Sequence, residues 1–206
     1  MVWRIPIGRD QAIPTIPRAR SAAGFSSYPL RGPKTYFCTF VHMQDFIAQL
    51  PQLAKDKHKE NKKFFAKLKK KPPKNLDQTM QQLHDEEFQR TDCLDCANCC
   101  KTTGPLFTDK DVERIAKFFK LKPQQFEAQY LRRDEDGDLV LQSVPCTFLG
   151  ADNYCSIYEV RPKACREYPH TDRKKFHQIG NLTVKNTAIC PAAYNIVEKM
   201  KQHIKL

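Results

Sequence analysis

The chain has 206 residues, 40% hydrophobic and 28% charged, which suits one domain with appendages and a modest core. No apolar run approaches the ~20 residues of a membrane span, so no membrane partner is expected. Seven isolated glycines against fourteen prolines, without a repeat, exclude collagen-like and glycine-rich classes.

The net charge of +12 is unevenly spread. Six basic residues face one acidic residue in 1–42, eleven face seven in 43–90, and eighteen face fifteen in 91–206. The C-terminal part does not read as a phosphate-binding surface, and nucleic acid is a disfavoured partner.

Residues 1–42 are interrupted by Pro6, Pro14, Pro17, Pro29 and Pro33 and lack helical periodicity. They read as disordered. Their acid-poor, Arg- and Ser-containing composition also resembles an organelle transit segment. The reading we favour is an extension upstream of a start at Met43, which leaves Cys38 without a role. No continuous apolar h-region is present, so export is not expected and the cytoplasm is the expected location.

Residues 43–90 are expected to form a helical hairpin. Pro51 suits the first turn of a helix over 51–71, with Leu53, Lys57, Phe64 and Leu68 on one face. Its basic tail, KKFFAKLKKK, reads as a solvated face whose lysines suit the helix dipole rather than as an anion stripe. Pro72 and Pro73 end it. A second helix over 76–90 places Leu76, Met80, Leu83 and Glu87/Phe88 at helical spacing and is expected to pack antiparallel on the first.

Residues 91–206 form the expected cysteine-cluster domain. Segment 92–107, DCLDCANCCKTTGPLF, fits neither period and reads as a loop. Thr108 with Asp111 forms an approximate capping box before Val112, Ile115, Ala116 and Phe119. Pro123 opens a helix carrying Phe126 and Tyr130. A turn at Asp136-Gly137 leads to the strand DLVLQSV, and 146–157 suits a hairpin around Gly150, Asp152 and Asn153. Pro162 starts a short helical turn bearing Cys165. LTVKNTAI, over 182–189, reads as a strand, and 192–204 as a helix with Ile196, Met200 and His203/Ile204 on one side. The fold class is α+β: a small, helix-rich, irregular domain stapled by metal and preceded by a helical hairpin.

Eight of the nine cysteines lie between 93 and 190. Without an export signal thiols stay reduced, so this density favours metal ligands over disulfides. Cys93, Cys96 and Cys99 are separated by two-residue spacers, which let a turn aim successive thiolates at one centre; Asp95 and Asn98 sit where it bends. Cys100 is a poor fourth ligand, since adjacent side chains diverge. Cys190-Pro191 after such a run parallels bacterial-type ferredoxins. Eight thiols divide into two fours: Cys93, Cys96, Cys99 and Cys190 on one centre, and Cys100, Cys146, Cys155 and Cys165 on the other. Zinc and iron both suit all-thiolate sites, and an iron–sulfur cluster is slightly favoured by the spacing.

The run Cys93–Cys100 and the later string PCTFLGADNYCSIYEVRPKACREYPH together resemble the YkgJ-type CxxCxxCC cysteine-cluster family, and most closely its Bacteroidetes-type members. The resemblance covers roughly residues 50–200. It implies an intracellular zinc- or iron-chelating domain. A related cysteine-cluster family includes flagellin lysine N-methylases, which are longer and match only at the cysteine core.

Enzymatic activity has little local support. No phosphate-binding glycine loop is present, and the cysteine spacing is not the Cys-x3-Cys-x2-Cys of radical enzymes. Candidate polar groups near Cys165 are Arg161, Arg166, Glu167, Tyr168, His170, Asp172 and His177. The arginines are expected to donate to backbone carbonyls and Tyr168 to sit in the core. His170 stands evenly between acid/base or ligand duty and a structural one, and His84 reads as a helix-surface histidine. Three functions remain: a metal- or cluster-binding protein of accessory or redox type, a cluster-dependent protein-modifying enzyme, and a zinc module binding nucleic acid.

Overall fold

A computed structural model describes residues 36–205, with side chains from Met43 onward. The readings made for residues 1–35 and for the Cys38 side chain lie outside the described residues.

The first helix, α1, runs over Tyr36–Lys70. It starts before the expected residue 51 and continues unbroken through Met43. Pro51 therefore lies inside it, where the ring's fixed φ is still helical and the cost is one lost donor. That position is exposed, so water can serve the Ile47 carbonyl that an N–H at 51 would have served. The buried stripe is Leu50, Ala54, Asn61, Phe65 and Leu68, with Leu53, Lys57 and Phe64 flanking it half-buried. The lysines of its last turn, Lys67, Lys69 and Lys70, are exposed.

Helix α2, Leu76–Phe88, buries Leu76, Met80, Leu83 and Glu87 at the expected spacing. Its main partner is the C-terminal helix rather than α1. The segment expected as a strand over 182–189 is instead helix α8, Gly180–Asn186, with helices α3 to α7 between it and α2 in the chain. The β-branched Thr183 and Val184 suggested a strand, but both are buried in this helix where it packs on α1. Tertiary burial outweighs a propensity worth only tenths of a kcal/mol. Gly180 permits the approach: a Cβ there would lie 2.9 Å from Phe65. Helix α9, Pro191–His203, follows as expected, with Pro191 at its first turn. One core joins Phe65 and Leu68 of α1, Leu76, Met80 and Leu83 of α2, Val184, and Ile196, Val197 and Met200 of α9.

Segment 92–107 is more ordered than the expected loop. It contains α3, Cys93–Cys96; α4, Asn98–Thr102; and strand β1, Leu106–Phe107. Helix α5, Asp109–Phe118, carries the expected capping box: the Thr108 side chain accepts from the Asp111 N–H, and the Asp111 carboxylate accepts from the Thr108 N–H. Helix α6, Pro123–Tyr130, leads directly into β2, Leu131–Arg133, a strand not anticipated. Strand β3, Leu139–Leu141, is the expected one, reached through a turn in which Gly137 has φ +85°. The antiparallel sheet has the order β1-β3-β2, pairing Phe107 with Leu139 and Leu131 with Leu141. Its core gathers Phe107, Val112, Ile115, Phe126, Leu131, Leu141, Phe148 and Ile157, with Cys146 and Cys155 packed against it. Helix α7, Lys163–Glu167, carries Cys165. The α+β, helix-rich class therefore holds. Among the described residues no helix is long and apolar enough to cross a membrane.

Candidate metal centre

The run Cys93–Cys100 is shaped by two short helical turns and a reversal between them. Asp92 caps α3 by accepting the Leu94 N–H at 2.8 Å. Ala97 then takes the left-handed conformation, φ 46°, with its N–H on the Cys93 carbonyl. That single residue ends one turn and starts the next, so Cys93 and Cys96 leave α3 while Cys99 and Cys100 leave α4.

Two contacts fasten this run to the distant cysteines. The Asn98 side-chain amide donates to the Ile189 carbonyl at 2.6 Å, next to Cys190. The Cys146 N–H donates to the Cys100 carbonyl at 2.8 Å. Cys190 is the N-cap of α9, where its sulfur accepts the Ala193 N–H at 3.4 Å.

The other cysteines sit on tight turns. The expected hairpin is present: Leu149 bridges Cys155 antiparallel, and the Gly150 N–H donates to the Tyr154 carbonyl at 2.7 Å. Cys155 pairs across the hairpin with Leu149, and Cys146 lies three residues before Leu149 on the other arm. Cys165 is placed by the N-terminal turn of α7, which buried Asp111 holds by accepting the Lys163 N–H at 3.0 Å. Arg114 pairs with that carboxylate and donates to the Val160 and Arg161 carbonyls. Of this brace, only the Thr108–Asp111 capping box was legible from residue order.

All eight cysteines are free thiols. Burial raises most of them, and neighbouring sulfurs add to the effect. Cys190 is pushed up to about 12, with Cys93 and Cys96 among the groups that raise it. Cys165 is pushed up to about 12, with Cys100, Cys146 and Cys155 as its sulfur neighbours. Cys146 rises to about 11 by burial, then by Cys100 and Cys155. Cys93, exposed as a residue, still has a shielded sulfur and rises to about 11, chiefly by desolvation.

Cys99 and Cys100 form a coupled pair. A side-chain hydrogen bond between them raises Cys99 and lowers Cys100. The two are neighbours on the short helical turn of α4, and each acts on the other's titration. Among the sulfurs that shift one another, Cys93, Cys96, Cys99 and Cys190 act within one set and Cys146, Cys155 and Cys165 within another, with Cys100 acting on both. Among the described residues no three Cys, His, Asp or Glu side chains stand at closed metal-ligand spacing. The donor set nevertheless suits a thiophilic metal: eight reduced, shielded sulfurs on turns fixed by backbone hydrogen bonds.

The surrounding polar residues are mostly structural. Arg161 donates to the Tyr158 carbonyl and lies over the Tyr158 ring at 3.8 Å, and Arg166 donates to the Arg161 carbonyl. Both arginines serve backbone carbonyls as expected, while Arg161 also lies near enough to Cys155 and Cys165 to favour their thiolates. His170 is half-buried with its Nδ1 4.0 Å from a Glu167 oxygen, and burial lowers its pKa. His84 is not a free surface residue: it bonds buried Thr171 at 2.8 Å and stacks on Phe88. Glu167 and Asp172 are exposed and His177 is half-buried. Tyr168 is half-buried, its hydroxyl is covered, and its pKa is raised by burial and then by Cys190, Cys99, Cys96 and Cys93.

Residues 92–190 match the model of the CxxCxxCC family, whose description reads "Putative zinc- or iron-chelating domain". No solved structure matches the chain.

Proposed function

We propose, from the match of residues 92–190 to the CxxCxxCC family model, that the chain holds two metal centres of four thiolates each. Cys93, Cys96, Cys99 and Cys190 would hold the first, and Cys100, Cys146, Cys155 and Cys165 the second. What supports this reading is that backbone ties bring the Cys93–Cys100 run to the distant cysteines, with Asn98 on the Ile189 carbonyl and the Cys146 N–H on the Cys100 carbonyl, among eight free thiols that shift one another. Buried sulfurs that resist ionisation when empty become thiolates beside a cation, so metal binding removes the penalty that burial imposes.

Four sulfurs accept zinc or iron. We carry the iron–sulfur reading for at least the first centre, because the Cys-x2-Cys-x2-Cys run with Cys190-Pro191 parallels ferredoxin ligand sets. A bound cluster would supply one-electron exchange, and either metal would cross-link the turns. The chain's own residues hold the sulfurs: Asn98 ties α4 to the Cys190 turn, and Asp111 with Arg114 holds the Cys165 turn. The role that follows is accessory or redox, in a reducing compartment such as the cytoplasm.

Protein purified without oxygen should contain iron and acid-labile sulfide, with visible absorbance that air bleaches. Two zinc ions per chain without sulfide would replace the cluster by zinc and keep both centres. Metal content unchanged in both Cys96→Ser and Cys155→Ser would overturn the two centres.

A further inference from the structure

The Tyr168 hydroxyl is buried and has no hydrogen-bond partner among the described residues. Buried hydroxyls are almost always paired, so one without a partner calls for an explanation. Its surroundings supply one. The groups that act on this phenol are the sulfurs of Cys190, Cys99, Cys96 and Cys93, the four of one set.

The phenol is also held in place from behind. The buried Asn186 side chain donates to the Pro169 carbonyl at 3.1 Å, and the Asn186 carbonyl accepts the Cys190 N–H at 2.8 Å. One residue thus hangs both the Tyr168 turn and the Cys190 turn. Two residues on, buried Thr171 bonds His84 of α2 at 2.8 Å. Arg161, which acts on Cys155 and Cys165 and also on Cys93, has its guanidinium engaged with the Tyr158 carbonyl and ring.

We propose that Tyr168 is a positioning residue of the first centre, its hydroxyl donating a hydrogen bond to one of the metal-bound thiolates of Cys93, Cys96, Cys99 and Cys190. The inference rests on the two-centre reading above. The phenol keeps its proton and donates O–H to sulfur. Outer hydrogen bonds of this kind orient the ligand, retain the metal and set the potential of a thiolate centre. The hydroxyl therefore makes the two centres unequal, with the first the more strongly supported by its surroundings.

The test uses the full chain with its bound metal exchanged for cobalt(II), which reports tetrahedral thiolate sites through sulfur-to-metal charge-transfer bands. Wild-type protein should show two sites, one of them lost in Cys190→Ser. Tyr168→Phe should weaken cobalt at that same site by about 10–100-fold and shift its charge-transfer band, leaving the other site alone. Tyr154→Phe, at an exposed tyrosine of the hairpin tip, should change neither. A Tyr168→Phe protein with both sites intact in affinity and band position overturns this inference and leaves the two centres standing. Wild-type protein with no two-site uptake overturns the two-centre reading and this inference with it. If Tyr168→Phe does not fold, the cadmium-loaded wild type decides: a slowly exchanging tyrosine hydroxyl proton supports the hydrogen bond, and its absence overturns it.

Discussion

The two halves of the structure hold their cysteines in different ways. The helical half buries Leu68, Met80, Ile196, Val197 and Met200 between long helices, and contributes one cysteine, Cys190, at the rigid start of α9. The sheet half rests on three strands of two or three residues and a cluster of rings, Phe119, Phe126, Tyr130 and Phe148. It contributes Cys146, Cys155 and Cys165, each on a turn. Long helices carry a core that stands without help, whereas ordering a turn costs about 1–2 kcal/mol per residue with few side chains to offset it. The difference locates where metal, bound as proposed, would matter most: on the turns of Cys146, Cys155 and Cys165, which lie beside the smaller sheet-half core, more than at Cys190, on the rigid start of α9.

Removing metal is the largest test of that contrast. A structural zinc contributes roughly 10–16 kcal/mol at neutral pH. With a chelator, or with oxygen for an iron–sulfur centre, hydrogen exchange should speed across 145–170 while α1, α2 and α9 keep their protection. Unchanged protection across 145–170 after verified metal removal would break the comparison.

Phe126→Ala comes next. Phe126 is fully buried and touches the rings of Phe107, Phe119, Tyr130 and Phe148. Truncation should cost about 3–5 kcal/mol and reduce metal retained at Cys146 and Cys155. Met200→Ala, in the helical core, should lower the melting temperature without that loss. Equal metal loss from both would show the halves to be one cooperative unit.

Glu87→Gln probes the helical half alone. The buried Glu87 carboxylate accepts from Arg90, Thr91, Asn195 and Lys199, joining α2 to α9. Losing its charge should cost about 1.5–3 kcal/mol by denaturant titration and leave metal content alone. Asn98→Ala is the smallest change, about 1 kcal/mol for one hydrogen bond. It should nevertheless raise metal loss from the Cys190 centre selectively, because that bond crosses from α4 to the Cys190 turn. Equal loss from both centres would assign Asn98 a general structural role.

Much of the local structure was legible because local chemistry decides it. The Thr108–Asp111 box, Pro123 at a helix start, the turn at Gly137 and the hairpin around Gly150 each follow from the residues within a few positions. The misreadings involve distant partners. Thr183 and Val184 look like strand residues until α1 is there to cover them, and residues 36–50 gain a helix from a continuous α1 that the proline at 51 seemed to open. In the candidate site, the cysteines announced themselves by spacing. Asn98, Asn186 and the Asp111–Arg114 brace did not, since their partners lie 17 to 91 positions away.

The crowding of eight thiols into one region has a bearing on how the whole domain meets its surroundings. With all thiols protonated, residues 91–206 carry three more basic than acidic side chains. A divalent core held by four thiolates bears two negative charges, whether that core is one zinc ion or a cubane in its 2+ state. Two such centres would bring the region from a small positive charge to about one negative charge, on bookkeeping in which each coordinating thiol is deprotonated. Loaded and empty forms of this region would then differ in the sign of their net charge, while the whole chain would fall from +12 to about +8. A partner guided by long-range electrostatics could distinguish them before any contact is made.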